Sequence, residues 1–346
     1  MSTALDQLNA SLPTGFIVRS AQLEDAQDVT DLLNAEYDHF GTPTHLGVEV
    51  QEAEWTTPNH NLAENSIVIE NAEGTIVGSA DVWAFMNPLV RMRLLVTVHP
   101  TYYHTGIYAL LLAWCEQQAI SHLNVSPQDV QVSVYAGAME ENSTKRKTIE
   151  ATGFVEVRRF YQMQIDMTEA PTVYALPDGY HYDIYRHPEQ LREIVRIDTE
   201  AFRDHFGFVE TDFDEHVEEI RHFLETMSYF NPNLFYNIVD DATGEIVAEI
   251  WNLTAMDGDS SIAYVDNVAV LREHRGKGIA IAMLTYSLNM HYQAGRKSVA
   301  LHVDAGSLTG ALSLYKKAGM RPMQTSVRYE KILRTGVDLV TRQLAE

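Results

Sequence analysis

The chain repeats itself. Asp38-His39-Phe40-Gly41 recurs as Asp204-His205-Phe206-Gly207, at an offset of 204 − 38 = 166 residues. Ala151-Thr152-Gly153-Phe154 resembles Lys317-Ala318-Gly319-Met320, and the two glycines again stand 319 − 153 = 166 apart. Between these anchors, Val98 lies eight residues before Gly106 as Val270 lies eight before Gly278, here at an offset of 270 − 98 = 172. An identical offset at both ends points to two diverged copies of one fold of about 165 residues. The second copy is then longer before the central turn, and the first copy longer after it.

A chain of 346 residues accommodates two such domains. The stretch 168–180 carries Pro171, Pro177 and the turn signal Pro177-Asp178-Gly179. The junction is expected there, with domains over 1–170 and 175–346. Apolar residues make up 45% and charged residues 21%, a balance that excludes pervasive disorder. With 25 Lys and Arg against 48 Asp and Glu, the net charge is −23. Such a surface repels phosphate backbones and anionic lipid, so neither nucleic acid nor membrane is an expected partner.

Cys115 is the single cysteine, which rules out an intrachain disulfide and a cysteine-cluster metal site. The first residues lack the basic and apolar regions of a secretory signal. The densest apolar run, 108–115, is far below the ~18 residues of a membrane span. A cytoplasmic protein is expected.

Periodicity in the second half predicts helices over 188–203, 213–227, 278–294 and 308–318. Strands are predicted over 234–239, 245–253, 262–270, 298–303 and 323–332. Paired strands come early and strand–helix–strand units late. In the helix 213–227, Glu218, Glu219 and His222 share one face while His216 is turned away. In so acidic a chain this reads as a solvated charged face, and no metal is expected.

The segment Val268-Ala269-Val270-Leu271-Arg272-Glu273-His274-Arg275-Gly276-Lys277-Gly278-Ile279-Ala280 carries the chemistry. A strand ends, a turn of glycines and cations follows, and a helix begins. Glycines let successive N–H groups converge, and the helix start adds unpaired N–H groups and its positive dipole end. That is a site for phosphate or pyrophosphate. Arg275 and Lys277 can add charge from the side. A P-loop would need Gly-Lys-Ser/Thr, and a dinucleotide fingerprint would need glycine at Ile281; neither is present.

Arg275-Gly276-Lys277-Gly278-Ile279-Ala280 resembles the Arg/Gln-x-x-Gly-x-Gly/Ala signature of the GNAT acetyl-CoA-dependent acyltransferases at all three defined positions. Leu301-His302-Val303-Asp304 and the helix ending Leu314-Tyr315-Lys316-Lys317-Ala318-Gly319-Met320 resemble later elements of the family. The resemblance is strong over 180–335 and weak over 15–167. The two-copy arrangement is similar to that of mycothiol-synthase-like GNAT proteins.

The resemblance implies an α/β (α+β) class of fold. Each of two tandem domains would be a mixed, mostly antiparallel twisted sheet flanked by helices, splitting open between its fourth and fifth strands. It further implies acetyl-CoA as co-substrate, with pantetheine along Val268, Ala269 and Val270. The pyrophosphate would sit on Arg275, Gly276, Lys277, Gly278, Ile279 and Ala280. Where the family often carries an asparagine, this chain has Gly306-Ser307-Leu308-Thr309-Gly310, so Ser307 or Thr309 would replace that contact. Tyr315 would lie near the thiol sulfur and protonate it as it leaves.

The chemistry of these side chains agrees. A tyrosine hydroxyl donates without being charged, and the Val268 N–H on an open strand edge can serve an oxyanion. Asp266 is the candidate general base, ahead of the cofactor stretch. Simple alternation puts it on one face with Tyr264 and Val268, unless a bulge intervenes.

The first copy keeps only Gly106 of the signature. Tyr103 stands at the arginine position, Tyr108 at the closing small residue, and Ile149 at the tyrosine position. A structural role, or completion of the substrate pocket, is expected for it, and the repeated Asp-His-Phe-Gly reads as a helix end with its glycine cap that in the second copy also borders the substrate pocket. The expected activity is N-acetyl transfer to a primary amine of a small molecule by the second copy. The rival reading is a catalytically silent acyl-CoA-binding or sensory module.

Overall fold

The computed structural model describes residues 4–42, 44–306 and 310–342. Its helices are α1 (Ala4–Ser11), α2 (Ala26–Phe40), α3 (Val48–Trp55), α4 (Leu62–Asn65), α5 (Ile107–Ser121), α6 (Ser143–Ala151), α7 (Leu191–Phe202), α8 (Phe213–Thr226), α9 (Ile279–Gln293) and α10 (Ala311–Lys317). The strands are β1 (Ile17–Ser20), β2 (Ser66–Glu70), β3 (Ile76–Trp83), β4 (Arg91–Val98), β5 (Val132–Met139), β6 (Val155–Asp166), β7 (Tyr180–Ile184), β8 (Tyr236–Asp240), β9 (Ile246–Leu253), β10 (Ile262–Val270), β11 (Ser298–Asp304) and β12 (Arg321–Arg334). No helix among the described residues is long and apolar enough to cross a membrane.

Two compact units emerge, and they do not follow chain order. One comprises Met1–Arg159 with Ser326–Leu339, the other Phe160–Thr325 with Val340–Glu346. The first unit's sheet runs β1-β2-β3-β4-β5-β12. It is antiparallel except where β4 meets β5. The second unit's sheet runs β7-β8-β9-β10-β11-β6, antiparallel except where β10 meets β11. The topologies are the same, but the last strand of each copy has been exchanged. β6, which follows the first copy's small helix, closes the second unit's sheet, and β12 closes the first. Within their adopted cores, Met163 and Tyr329 are both fully buried.

The junction expected at 168–180 is a connecting segment without helix or strand until Tyr180. The compact units divide earlier, at 159/160, and the chain re-enters the first unit at Ser326. The repeat records chain order, whereas alternation in a strand does not say which sheet receives it.

Two helices set up the second unit's site. In α7, Leu191, Ile194, Val195, Ile197 and Ala201 are buried while Glu193, Arg196 and Glu200 face outward, an amphipathic stripe. α9 starts directly after Gly278 and is apolar almost all round, so 9 of its 15 residues are buried. Each fully buried Leu or Met contributes about 1.5–3 kcal/mol. Gly278 has φ +93°, a conformation that favours glycine, and this bends the chain from the turn into α9.

Candidate active site

β10 and β11 pair only from Ile262↔Ser298 to Tyr264↔Ala300, and then diverge. Beyond Tyr264 the β10 edge facing β11 has no strand partner among the described residues. A cavity of about 520 Å³ opens at this split. Its wall takes in β10 from Val265 to Val270, the turn at Arg275, Gly276 and Gly278, the start of α9 at Ile279–Ile281, Tyr315 of α10 and His302 and Asp304 of β11. Ala201, Phe202 and His205 close it from the α7 side.

Most of the residues singled out in sequence therefore come together: Asp266, Val268, Ala269, Val270, Arg275, Gly276, Gly278, Ile279, Ala280 and Tyr315 share one cavity. Ser307 and Thr309 lie outside the described residues. Lys277 is not on the cavity wall. Its Nζ donates to Tyr180 Oη at 3.0 Å and lies 5.7 Å over that ring.

The Arg275 guanidinium also turns away from where an anion would be gripped from the side. Its Nε donates to Val270 O at 3.0 Å, Nη1 to Asp204 Oδ2 at 2.8 Å and Nη2 to Ala201 O at 2.7 Å. Arg275 thus ties the end of β10 to α7 and stiffens the turn from behind. This corrects the reading of the repeated tetrapeptide. In the first copy Gly41, at φ +71°, does cap α2. In the second copy α7 ends at Phe202, and Asp204 to Gly207 continue past it to meet the arginine.

The bulge allowed for at Asp266 does intervene, while exposure still alternates from Tyr264 through Asp266 to Val268. Val265 pairs with Asn252 and Asn267 with Trp251, so Asp266 is the extra residue of a β-bulge. Asp266 is solvent-exposed and lines the cavity. Burial, then the charges of Asp198 and Asp257, push its carboxyl up to about 7. Tyr315 is 8% exposed, and burial lifts its phenol to about 12, so it keeps its proton at neutral pH.

Imidazoles also stand on the wall, among them His302 and His205. His302 Nδ1 meets Tyr264 Oη at 2.9 Å, and burial lowers the ring to about 4, so it is neutral. His205 is likewise lowered, chiefly by burial. His205 belongs to the repeated Asp-His-Phe-Gly and His302 to the strand Leu301-His302-Val303-Asp304.

In the first unit the corresponding turn is filled by its own side chains. Asn142 is fully buried, and its Nδ2 donates to Glu36 Oε1 and to Tyr103 Oη, each at 2.9 Å. Lys145 Nζ reaches the same Glu36 oxygen at 3.2 Å and lies 5.6 Å over the buried Tyr108 ring. Ile149 is fully buried in the core. In α8, Glu218 pairs with Arg221 and His216 with Glu219, and the described residues hold no metal-ligating cluster.

A sheet split beside a glycine turn at a helix start is the arrangement that the resemblance to the GNAT acyltransferases implies. Residues 191–320 match the model of the acetyltransferase (GNAT) family. The mycothiol acetyltransferase of Mycolicibacterium vanbaalenii is 26% identical over 246 residues, 68% of this chain and 72% of that one. A GCN5-related N-acetyltransferase from Sphaerobacter thermophilus superposes with TM-score 0.79 at 25% identity, over 95% of this chain and 99% of that one. A tandem GNAT protein from the clavulanic acid biosynthesis pathway shares the fold, with TM-score 0.71 at 15% identity over 92% and 98% of the two chains. The chain thus carries an acetyltransferase (GNAT) domain over residues 191–320 within the fold of tandem GNAT proteins, and acetyl-CoA is the co-substrate of that family.

Proposed function

We propose that the protein transfers the acetyl group to a primary amine of a small molecule, and that the C-terminal unit carries the reaction. The observation that supports this most is the convergence of Asp266 and Tyr315 on the one cavity that also holds the glycine turn. A carboxylate that titrates near 7 suits a general base, because it is ionised in part at neutral pH yet still basic enough to take an ammonium proton. A buried phenol near 12 suits a general acid that must stay protonated until the thiolate leaves.

The residues fit acetyl-CoA. Gly276 and Gly278, at φ +76° and +93°, let the turn's N–H groups face the cavity ahead of α9, where a pyrophosphate would lie. The backbone of Arg275, Lys277, Ile279 and Ala280 belongs to this cradle, while the Arg275 side chain braces it. Pantetheine would follow Val268, Ala269 and Val270 along the unpaired edge, where the Val268 N–H is available to a developing oxyanion.

In the first unit the Tyr103, Tyr108 and Glu36 side chains occupy the equivalent turn, and the Glu36 carboxylate would oppose an anion. We assign it a structural role. The test is thiol release from acetyl-CoA against a panel of small primary amines. Release with at least one amine, lost in Asp266→Asn and Tyr315→Phe, supports the reading. Release that survives both variants overturns the assignment of the site.

A further inference from the structure

The residue beside the bulge binds three elements together. Asn267 Nδ2 donates to Asp198 Oδ1 of α7 at 2.6 Å and to Glu249 Oε1 of β9 at 3.3 Å. A carboxamide nitrogen has two hydrogens, so one side chain serves both acceptors. Asn267 is 8% exposed and Glu249 not at all. A buried carboxyl is costly unless it is bonded.

The placement explains what the bulge alone does not. A bulge bends its strand and can re-aim a side chain, but the direction must be held by something. Here the amide of the next residue is fixed at both hydrogens, to a helix on one side and to the neighbouring strand on the other. Slipping the register would break both bonds.

We propose that Asn267 and Asp198 are positioning residues for Asp266: Asn267 pins the bulge that turns the Asp266 carboxyl into the cavity, and Asp198 sets the charge that carboxyl feels. The proposal rests on reading Asp266 as the general base.

The surroundings leave Asp198 in that position. Facing Asp266 are Tyr264 on its own strand, Asp198 and His205 from the α7 side, Glu249 from β9, and Asp257 from the β9–β10 connection. His302 and Asp304 of β11 and Tyr315 of α10 complete the set. The two phenols and the His302 ring are neutral at pH 7. Burial, then the charge of Asp198, keeps Glu249 protonated. Arg275 is paired with Asp204. Burial pushes the Asp198 carboxyl up to about 6, against which His216 of α8 and the Asn267 amide favour its ionised form, so it is charged at pH 7. Of the carboxylates around it, Asp198 and then Asp257 are those whose charge acts on Asp266, and Asp198 accepts a 2.6 Å bond from the adjoining Asn267.

The test is carbon-13 NMR of the aspartate carboxyls in the full chain, following Asp266 across pH in wild type, Asp198→Asn and Asn267→Ala. Asp198→Asn keeps the shape and the oxygen that Asn267 bonds, so the fold is retained. It should lower the proton affinity of Asp266 by about tenfold. Asn267→Ala should cut the single-turnover rate while acetyl-CoA affinity stays as in wild type. An Asp266 titration that is the same in Asp198→Asn as in wild type overturns the proposal. Titration that moves as expected, beside an Asp266→Asn variant with an unchanged pH–rate profile, upholds the positioning relation and removes Asp266 from the role of base.

Discussion

Asp204 Oδ2 receives both Arg272 Nη2 and Arg275 Nη1, each at 2.8 Å. One carboxylate just past the end of α7 therefore anchors the cations on either side of His274, and with them the geometry of the glycine turn. Burial opposes ionisation of Asp204, but the hydrogen bond and charge of Arg275 prevail and hold its carboxyl below the usual range.

Asp204→Ala should therefore loosen the turn without touching the cavity. It should destabilise the protein by about 1–3 kcal/mol, because Arg275 loses its partner in a half-buried place. Acetyl-CoA affinity should fall about tenfold, or about 1.4 kcal/mol. The sign of the pH dependence follows from the lowered value. The ion pair's contribution is complete above the unfolded aspartate's pKa of about 3.9 and is lost as pH falls through the lower folded value. Wild type should thus lose more stability on acidification to pH ~3 than Asp204→Ala, as urea midpoints would show.

Gly278→Asp should abolish acetyl-CoA binding in a chain that still folds. Asp at φ +93° is strained by about 1–3 kcal/mol, and it points a carboxylate at the anion cradle. Calorimetry should give one site per chain in wild type and none in the variant. A site that persists in folded Gly278→Asp would place cofactor binding in the first unit.

The pH–rate profile should carry the titration of Asp266. A base with a pKa raised to about 7 must lose its proton to act, so kcat/KM rises with pH up to about 7 and then levels. Asp266→Asn should lower the rate by about 10²–10⁴ and remove that limb, leaving only the titration of the acceptor amine. An unaltered limb in the variant would assign it to another group.

Tyr315→Phe removes one hydroxyl and keeps the ring, so packing and acetyl-CoA affinity should hold. Single-turnover rates should drop by about 10²–10⁴, in kcat and kcat/KM together, since the proton is needed only as the thiol departs. A rate near that of wild type would leave Tyr315 as a packing residue.

Much of the site was legible in sequence because its signal is local. Gly276, Gly278 and the start of α9 are adjacent in the chain, and the Tyr315 helix follows at a family spacing. β10 ran over the residues expected of it, Ile262–Val270. What escaped were relations across the fold. The bulge at Asp266 adds one residue against β9, which no alternation pattern announces. The pairing of Asp204 with Arg275 was half visible. The first copy has Tyr103 in place of the arginine, and there Asp38 pairs instead with His45 at 2.7 Å. Asp198, Glu249 and Asn267 stood in helix and strands as ordinary polar residues, since their meeting depends on how α7 lies over the sheet. The exchange of β6 and β12 was invisible, because both strands have the alternation that either sheet would accept.

That exchange fixes an order of events during synthesis. A domain made early on the ribosome ordinarily folds before the next one emerges. Here the first unit's sheet stops at β5 until residues 321–334 have been translated, so its edge waits, unpaired, while the whole second copy is made. Neither copy cut out at the linker carries its own closing strand. A gene fragment encoding either repeat alone would lack the strand that closes its sheet in the full chain.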